Sequence, residues 1–130
     1  MTPETIYNVL GDRVRVLASG DGSPFEMFEW HGPENSGPPP HAHPWTESYF
    51  VIDGEADVLI DGQPLRATPG CFISVPPGSV HSYRVVSPGA RFLVVTSPCG
   101  LKGFVEELHD VADFETVMKV AAKHHVAVGA

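Results

Sequence analysis

Residues 41–47 read HAHPWTE, and this stretch places three side chains with metal-ligand chemistry at positions 41, 43 and 47. On an extended strand, residues two apart point to the same face, so the imidazoles of His41 and His43 can converge from one side. Glu47 shares their parity, although Pro44 bends the path between them. A fourth ligand, His81, would come from another strand. Three imidazoles and one carboxylate suit one divalent Fe, Mn, Ni, Co, Cu or Zn ion and suit Ca or Mg poorly.

The rest of the chain consists largely of short apolar runs separated by turns. Its 13 Pro and 13 Gly fall singly or in short clusters between those runs. Two Asp-Gly pairs, at 53–54 and 61–62, are tight-turn signals between strand candidates. Short, regularly punctuated strands predict an all-β sandwich or small barrel. The expected strands are residues 13–18, 25–30, 47–53, 55–60, 71–75, 81–86 and 91–96.

The C-terminal tail has a different period. From residue 112 to 125 the apolar residues recur at i, i+3, i+4 and i+7, which predicts a helix with Asp113 as its N-cap. A shorter helix is expected over residues 101–108. The apolar stripe is a packing face that closes the barrel or covers a neighbouring subunit, and it consists of Phe114, Val117, Met118 and Ala121.

Length and charge narrow the class of protein. A chain of 130 residues is long enough for one domain with a real core and too short for two. The formal net charge of −8 argues against nucleic acid or an anionic membrane as the main partner. The first residues, MTPETIYNVL, lack the basic and apolar regions of a secretion signal, and no run approaches the length of a membrane span. We therefore expect a cytoplasmic protein.

Two spaced motifs in this chain resemble those of the cupin superfamily. The first cupin motif, G-x5-H-x-H-x3,4-E-x6-G, is matched except that Asn35 stands at its opening glycine. The second, G-x5-P-x-G-x2-H-x3-N, is matched except that Val85 stands at its final asparagine. All four ligand positions keep the family spacing. The matching residues are His41, His43, Glu47 and Gly54 in the first motif and Gly70, Pro76, Gly78 and His81 in the second.

This resemblance implies a single cupin domain over residues 1–130. Its fold would be a double-stranded β-helix, or jelly-roll barrel, over about residues 12–97, with a helical tail over about 101–126. Within the cupins the chain is similar to small bacterial quercetinase-like (flavonol dioxygenase-like) proteins. That narrower similarity lies in GDRVRVLASGDG at 11–22, SGPPPHAHPWTESYFVIDGE at 36–55 and TSPCGLKGFVEEL at 96–108. Cupins commonly dimerise by exchanging an N-terminal strand, so we expect a homodimer.

The expected site combines the metal ligands with a pocket wall. Four protein ligands leave two positions open on an octahedral ion, for water, dioxygen or substrate. Glu47 is either a general base that takes a substrate proton or a fixed fourth ligand. Strand parity and aromatic character predict a mostly apolar pocket for an aromatic or polyketide-like ligand. The predicted wall residues are Trp45, Tyr49, Val51, Tyr83, Val85 and Phe92.

Three functions fit these residues. The first is a metal-dependent dioxygenase, an oxidoreductase acting on an aromatic or enolisable small molecule, with Glu47 as the catalytic residue. The second is a metal-dependent isomerase or cyclase without redox chemistry, in which the ion acts as a Lewis acid. The third is a non-catalytic small-molecule-binding cupin, because a fold does not imply a function.

Overall fold

A computed structural model of the chain describes residues 5–19 and 24–129. The described part contains two helices and a series of short strands. The strands are β1 (Ile6–Val9), β2 (Asp12–Ala18), β3 (Glu26–Pro33), β4 (His41–Ala42), β5 (Thr46–Asp53), β6 (Ala56–Ile60), β7 (Gln63–Ala67), β8 (Phe72–Val75), β9 (His81–Val85), β10 (Gly89–Ser97) and β11 (Ala127–Val128), and the helices are α1 (Leu101–Leu108) and α2 (Phe114–Lys123).

The strands form two antiparallel sheets that face each other. One sheet has the order β1-β2-β3-β10-β5-β8, and the other has the order β11-β4-β9-β6-β7. β10 runs through the first sheet between β3 and β5 and alternates between buried and less buried positions along its whole length. This period-2 alternation directs one face of each sheet into a shared interior. The all-β prediction with a C-terminal helical segment is confirmed.

The interior is made of residues that the alternation points inward. Val14, Phe28, Val51 and Val85 are each at most 1% exposed. Burying a side chain of this size contributes about 1.5–3 kcal/mol, so these positions carry much of the fold's stability. Val14 on β2 and Phe28 on β3 are both packed inside this chain's own core.

The predicted strands overlap β2, β3, β5, β6, β8, β9 and β10, but β1, β4, β7 and β11 were not predicted. β7 reads QPLRA and its first four residues are exposed, so it has no apolar alternation to detect. Its Pro64 is tolerated because β7 lies at the edge of its sheet. The two-residue strands β4 and β11 are too short to show any period.

The Asp-Gly pairs at 53–54 and 61–62 make different connections. Asp61 and Gly62 have φ of 47° and 82° and join the paired strands β6 and β7, which is the geometry of a two-residue hairpin. Asp53 and Gly54 instead lead from β5 in one sheet to β6 in the other. Gly54 has φ of 82°, and a Cβ there would collide with the carbonyl oxygen of Gly89. This corner therefore requires glycine.

A carboxylate accepts backbone N–H groups at the N-terminus of each helix. Asp113 caps α2 as predicted, and its carboxylate accepts the Thr116 N–H at 2.9 Å. α1 is held by Glu26 of β3, which is 3% exposed. The Glu26 carboxylate accepts hydrogen bonds from the backbone N–H groups of Gly100, Leu101 and Lys102 at 2.9–3.2 Å. A carboxylate at a helix N-terminus also interacts favourably with the helix dipole.

Candidate metal centre and adjoining cavity

Three histidines meet at the end of the second sheet. His41 on β4 is directly opposite His81 on β9 in the strand register, and His43 follows β4 by one residue. One ring nitrogen from each of the three lies within 4.8 Å of the others. His43 and His81 are buried, and His41 is partly buried. The strand register therefore brings together ligand types that lie 40 residues apart in the sequence.

Backbone carbonyls set the orientation of all three rings. Each Nδ1 lies within hydrogen-bond distance of a carbonyl oxygen two residues away. Because a carbonyl only accepts, each Nδ1 carries a hydrogen, and in the neutral form of each ring Nε2 has the free lone pair. The pairs are His41 with Pro39 at 2.9 Å, His43 with Trp45 at 3.0 Å and His81 with Ser79 at 2.9 Å.

Two of the three rings have a buried Nε2 atom that makes no hydrogen bond. In the described part of the chain, the buried Nε2 atoms of His43 and His81 have no hydrogen-bond partner. Burial and repulsion from His81 lower the pKa of His41 to about 4, and burial also lowers the pKa of His81. Buried Nε2 atoms that lack a hydrogen bond are the donors that a transition metal requires, so the residues present fit such an ion.

Glu47 lies beside this histidine group. Its Oε2 is 3.2 Å from Nε2 of His43, and its Oε1 is 3.9 Å from Nε2 of His81. Oε1 also accepts a short hydrogen bond from the Tyr49 hydroxyl, and Oε2 accepts one from Trp45 Nε1 at 3.4 Å. Burial alone would raise the pKa of Glu47, but the interactions with His43 and Tyr49 lower it to about 2. The carboxylate is therefore ionised at neutral pH.

A cavity of about 280 Å³ opens beside these residues. Its volume is slightly smaller than that of typical small-molecule sites, which run from about 300 to 1,000 Å³. Trp45, Tyr49, Tyr83 and Phe92, all predicted as wall residues, line it together with His41, His43 and Glu47. His81 contributes its ring to the histidine group but is not part of the lining. Burial and the nearby Glu47 raise the pKa of Tyr49 well above its usual range, so this phenol remains a hydrogen-bond donor.

Val51 and Val85, also predicted as wall residues, do not line this cavity. They are 1% and 0% exposed and belong to the hydrophobic core. Each has the expected parity but lies four residues beyond Glu47 or His81, which is about 13 Å along its strand. Parity identifies the face of a strand, and the distance along the strand decides whether a residue reaches the cavity.

The C-terminal helices supply the opposite wall. Both helices contribute lining residues, and Phe114 stands at the rim with 73% of its surface exposed. The sequence showed the apolar stripe of α2 but did not show which surface this stripe packs against. The structure places it over the cavity of the same chain. The helical lining residues are Leu101, Phe104, Val105, Leu108, Phe114, Val117, Met118 and Ala121.

Sequence reasoning missed an acidic residue in the cavity wall. Asp12 on β2 is 5% exposed, and its Oδ2 accepts hydrogen bonds from Trp30 Nε1 at 2.8 Å and the Tyr83 hydroxyl at 3.0 Å. Asp12, Trp30 and Tyr83 all line the cavity. In the sequence Asp12 looks like a turn residue after Gly11, so no local signal marks it.

Residues 32–96 match the Cupin_2 family, described as "Cupin domain". The chain belongs to the cupin family, as its two motifs predict. The fold agrees with that family. An RmlC-like cupin from Shewanella frigidimarina NCIMB 400 has a TM-score of 0.67 and 23% identity, covering 74% of this chain and 85% of the other. The two sheets are therefore a cupin double-stranded β-helix.

Two relatives by sequence have names that describe different chemistry. Quercetin 2,3-dioxygenase of Bacillus subtilis (strain 168) is 32% identical over 105 residues, which cover 77% of this chain and 31% of the relative. Dimethylsulfoniopropionate lyase DddQ of Ruegeria pomeroyi is 35% identical over 71 residues, which cover 50% of this chain and 35% of the relative. This chain thus aligns with about a third of the length of each. Within the described ranges, no helix is long and apolar enough to cross a membrane.

Proposed function

We propose that this cupin is a metal-dependent dioxygenase that acts on an aromatic or enolisable small molecule. The observation that carries the proposal is the unpartnered Nε2 atoms of His43 and His81 beside the ionised Glu47, at the wall of an aromatic cavity. The similarity to quercetin 2,3-dioxygenase supports the same reaction class.

The site would hold one divalent Fe, Mn, Ni, Co, Cu or Zn ion through His41, His43, His81 and Glu47. A bound ion of this kind supplies Lewis-acid polarisation of a substrate oxygen and, when redox-active, activation of dioxygen. The anchored Nδ1 atoms keep the three rings aimed inward before anything binds, which lowers the cost of ordering the site.

Whenever its carboxylate is not bound to the ion, Glu47 would act as the general base. It would take the proton of a substrate hydroxyl that approaches the site, because it is ionised and lies at the cavity wall. The Tyr49 hydroxyl donates to Glu47 and holds its carboxylate in place. Trp45 stacks on the His43 ring with centroids 4.4 Å apart and planes 9° apart, which fixes that ring from the other side.

The cavity wall selects a flat, apolar ligand. The Tyr83 ring makes edge contacts with Tyr49 at 6.2 Å and with Phe92 at 5.6 Å between centroids. Such a wall offers aromatic faces and edges to a planar ring. α1 and α2 line another side of the cavity with apolar side chains.

The test combines metal analysis with oxygen uptake. Purified protein is reconstituted separately with Fe, Mn, Ni, Co, Cu and Zn, and each form is assayed with quercetin and with 3-hydroxyflavone in an oxygen electrode. We expect about one ion per chain, and oxygen uptake with at least one redox-active ion. His81→Ala should abolish both, and Glu47→Gln should abolish oxygen uptake.

The control is His31→Ala, which removes an exposed histidine that pairs with Glu29 and lies outside the cavity lining. It should keep wild-type metal content and activity. Full oxygen uptake by His81→Ala, or no uptake with any of the metals, would overturn the dioxygenase proposal.

A second candidate is a metal-dependent lyase, isomerase or cyclase without redox chemistry. It is favoured by the direct hydrogen bond between Tyr49 and Glu47, which pairs a proton donor with a base, and by the similarity to a lyase. Turnover of an enolisable ketone or of dimethylsulfoniopropionate by zinc-loaded protein without oxygen would support it over the dioxygenase. A ligand that binds tightly and is released unchanged would instead indicate a binding protein.

A further inference from the structure

A second, much smaller void lies inside the barrel, next to the cavity described above. Its volume is about 10 Å³, compared with about 280 Å³ for the larger cavity. Tyr49, Tyr83 and Phe92 line both spaces, so this group of aromatic side chains adjoins the two of them. Val51, which does not line the larger cavity, lines the smaller void. The smaller void therefore extends into the core of the barrel.

The histidine group borders both spaces. His41, His43 and Glu47 line the larger cavity, whereas His81 lines the smaller void. His81 is 3% exposed, and its Nε2 has no hydrogen-bond partner among the described residues. A molecule in the smaller void would therefore lie next to His81, on a different side of the histidine group from a ligand in the larger cavity.

The smaller void is suited to an apolar molecule. Its volume is close to the roughly 10–15 Å³ that one water requires, but a buried water also needs two to four polar partners. The hydroxyls of Tyr49 and Tyr83 already donate hydrogen bonds to buried carboxylates, and Ser82 lies on the outward face of β9. Apolar voids stay dry and take up apolar molecules. The apolar lining residues are each at most 8% exposed, and they are Val51, Ala56, Val58, Ala67, Ile73 and Phe92.

We propose that this void is a binding site for one diatomic gas molecule, which in the proposed reaction is dioxygen. The larger cavity would hold the organic substrate, so the two reactants would reach the histidine group from different sides without competing for one space. The inference rests on the proposed function, because it takes dioxygen to be a substrate of that site. The uptake of gas by the void does not require the metal and is measured without it.

The first measurement uses metal-free protein, so that no oxygen is consumed. Dioxygen is paramagnetic and speeds the nuclear relaxation of methyl groups that lie close to it. Methyl relaxation rates are compared between protein under argon and protein under pressurised oxygen. We expect the methyls of Val51 and Ile73 to show a severalfold larger enhancement than those of Val14. Val14 is the internal control, because it is 0% exposed but lines neither of the two spaces.

Ala67→Val is the variant that fills the void. Ala67 is 0% exposed and ends β7, where a β-branched residue suits a strand. The variant should reduce the oxygen enhancement at Val51 and Ile73 to the level of Val14. In metal-loaded enzyme it should lower kcat/KM for dioxygen about tenfold, which corresponds to about 1.4 kcal/mol of lost binding. The affinity for 3-hydroxyflavone, measured without oxygen, should stay the same.

The matched control is Ala122→Val, which makes the same change at an exposed position of α2 that lines neither space. It should leave the relaxation enhancements, kcat/KM for dioxygen and 3-hydroxyflavone affinity unchanged.

Equal oxygen enhancement at Val51, Ile73 and Val14 in wild-type protein would overturn the inference, and this comparison needs no variant. An unchanged kcat/KM for dioxygen in folded Ala67→Val would overturn the role of the void in the reaction. Oxygen uptake by metal-loaded protein without a localised enhancement would refute the gas site and leave the dioxygenase standing. A localised enhancement without oxygen uptake by any metal-loaded form would support the gas site and refute the dioxygenase.

Discussion

Glu26→Gln is expected to lower the free energy of unfolding by about 2–4 kcal/mol. In the native protein Oε1 accepts hydrogen bonds from the Thr96 hydroxyl and from the N–H groups of Gly100 and Leu101, and Oε2 accepts the N–H of Lys102 at 3.2 Å. If the amide oxygen of the variant keeps the first three bonds, its NH₂ group must face the Lys102 N–H. One buried bond is then lost, at about 1–3 kcal/mol.

The change also removes a negative charge from the N-terminus of α1. That interaction with the helix dipole is worth about 0.3–1 kcal/mol at an exposed site and up to about 2 kcal/mol when partly buried. Taking this interaction as about 1 kcal/mol and adding it to the lost hydrogen bond gives the expected range of about 2–4 kcal/mol. Because α1 forms part of the cavity wall, the variant should also bind 3-hydroxyflavone more weakly while its metal content stays unchanged.

Equilibrium unfolding in urea, extrapolated linearly to water, measures the first quantity. Glu106→Gln is the control, because Glu106 lies on the same helix and, among the described residues, its carboxylate makes an exposed ion pair with Lys102 at 3.4 Å. That pair should be worth about 0.5 kcal/mol or less. If Glu26→Gln and Glu106→Gln unfold at the same urea concentration, the reasoning about the buried cap is wrong.

Three further predictions concern the site. Tyr49→Phe removes the hydroxyl that donates to Glu47 and should slow oxygen uptake about tenfold at unchanged metal content. Oxygen uptake at the wild-type rate would contradict the role of Tyr49 in positioning Glu47. Gly100→Ala would place a Cβ 2.6 Å from the ring of Trp45, which is 4% exposed. This clash should destabilise the protein by about 1–3 kcal/mol, measured by thermal or urea unfolding. An unchanged unfolding midpoint would show that the ring can move aside. For metal-free protein, the unfolded state binds more protons than the folded state between pH 6.5 and about 4, because the pKa of His41 is lowered. Stability should therefore fall as pH decreases through this window, and urea midpoints that stay constant would contradict it.

Much of the candidate site follows from local sequence patterns. His41 and His43 lie two residues apart, Glu47 lies four residues further along at the start of β5, and the Gly-Pro spacing before His81 identifies the partner strand. The structure places His41 directly opposite His81 and brings three histidine nitrogens within 4.8 Å of one another. These relations depend on strand geometry, which varies little between proteins.

Other features depend on contacts between distant segments. Asp12 and Tyr83 are 71 positions apart, and Glu26 and Leu101 are 75 positions apart, yet each pair is joined by a hydrogen bond. Asp12 resembles a turn residue, and Glu26 resembles a solvated strand residue. Their burial becomes visible only when β2, β3 and the C-terminal helices are packed together.

The sequence by itself determined the fold class, the cupin motifs and the three-histidine group, because alternation and turn chemistry act over a few residues. Only the tertiary structure decided how far the cavity extends, which wall residues reach it and what covers it. Val51 and Val85 have the predicted parity but are packed in the core, whereas the α2 stripe lines the cavity. The physical reason is that periodicity specifies the face of an element, while the distance along it and the packing partner depend on long-range contacts.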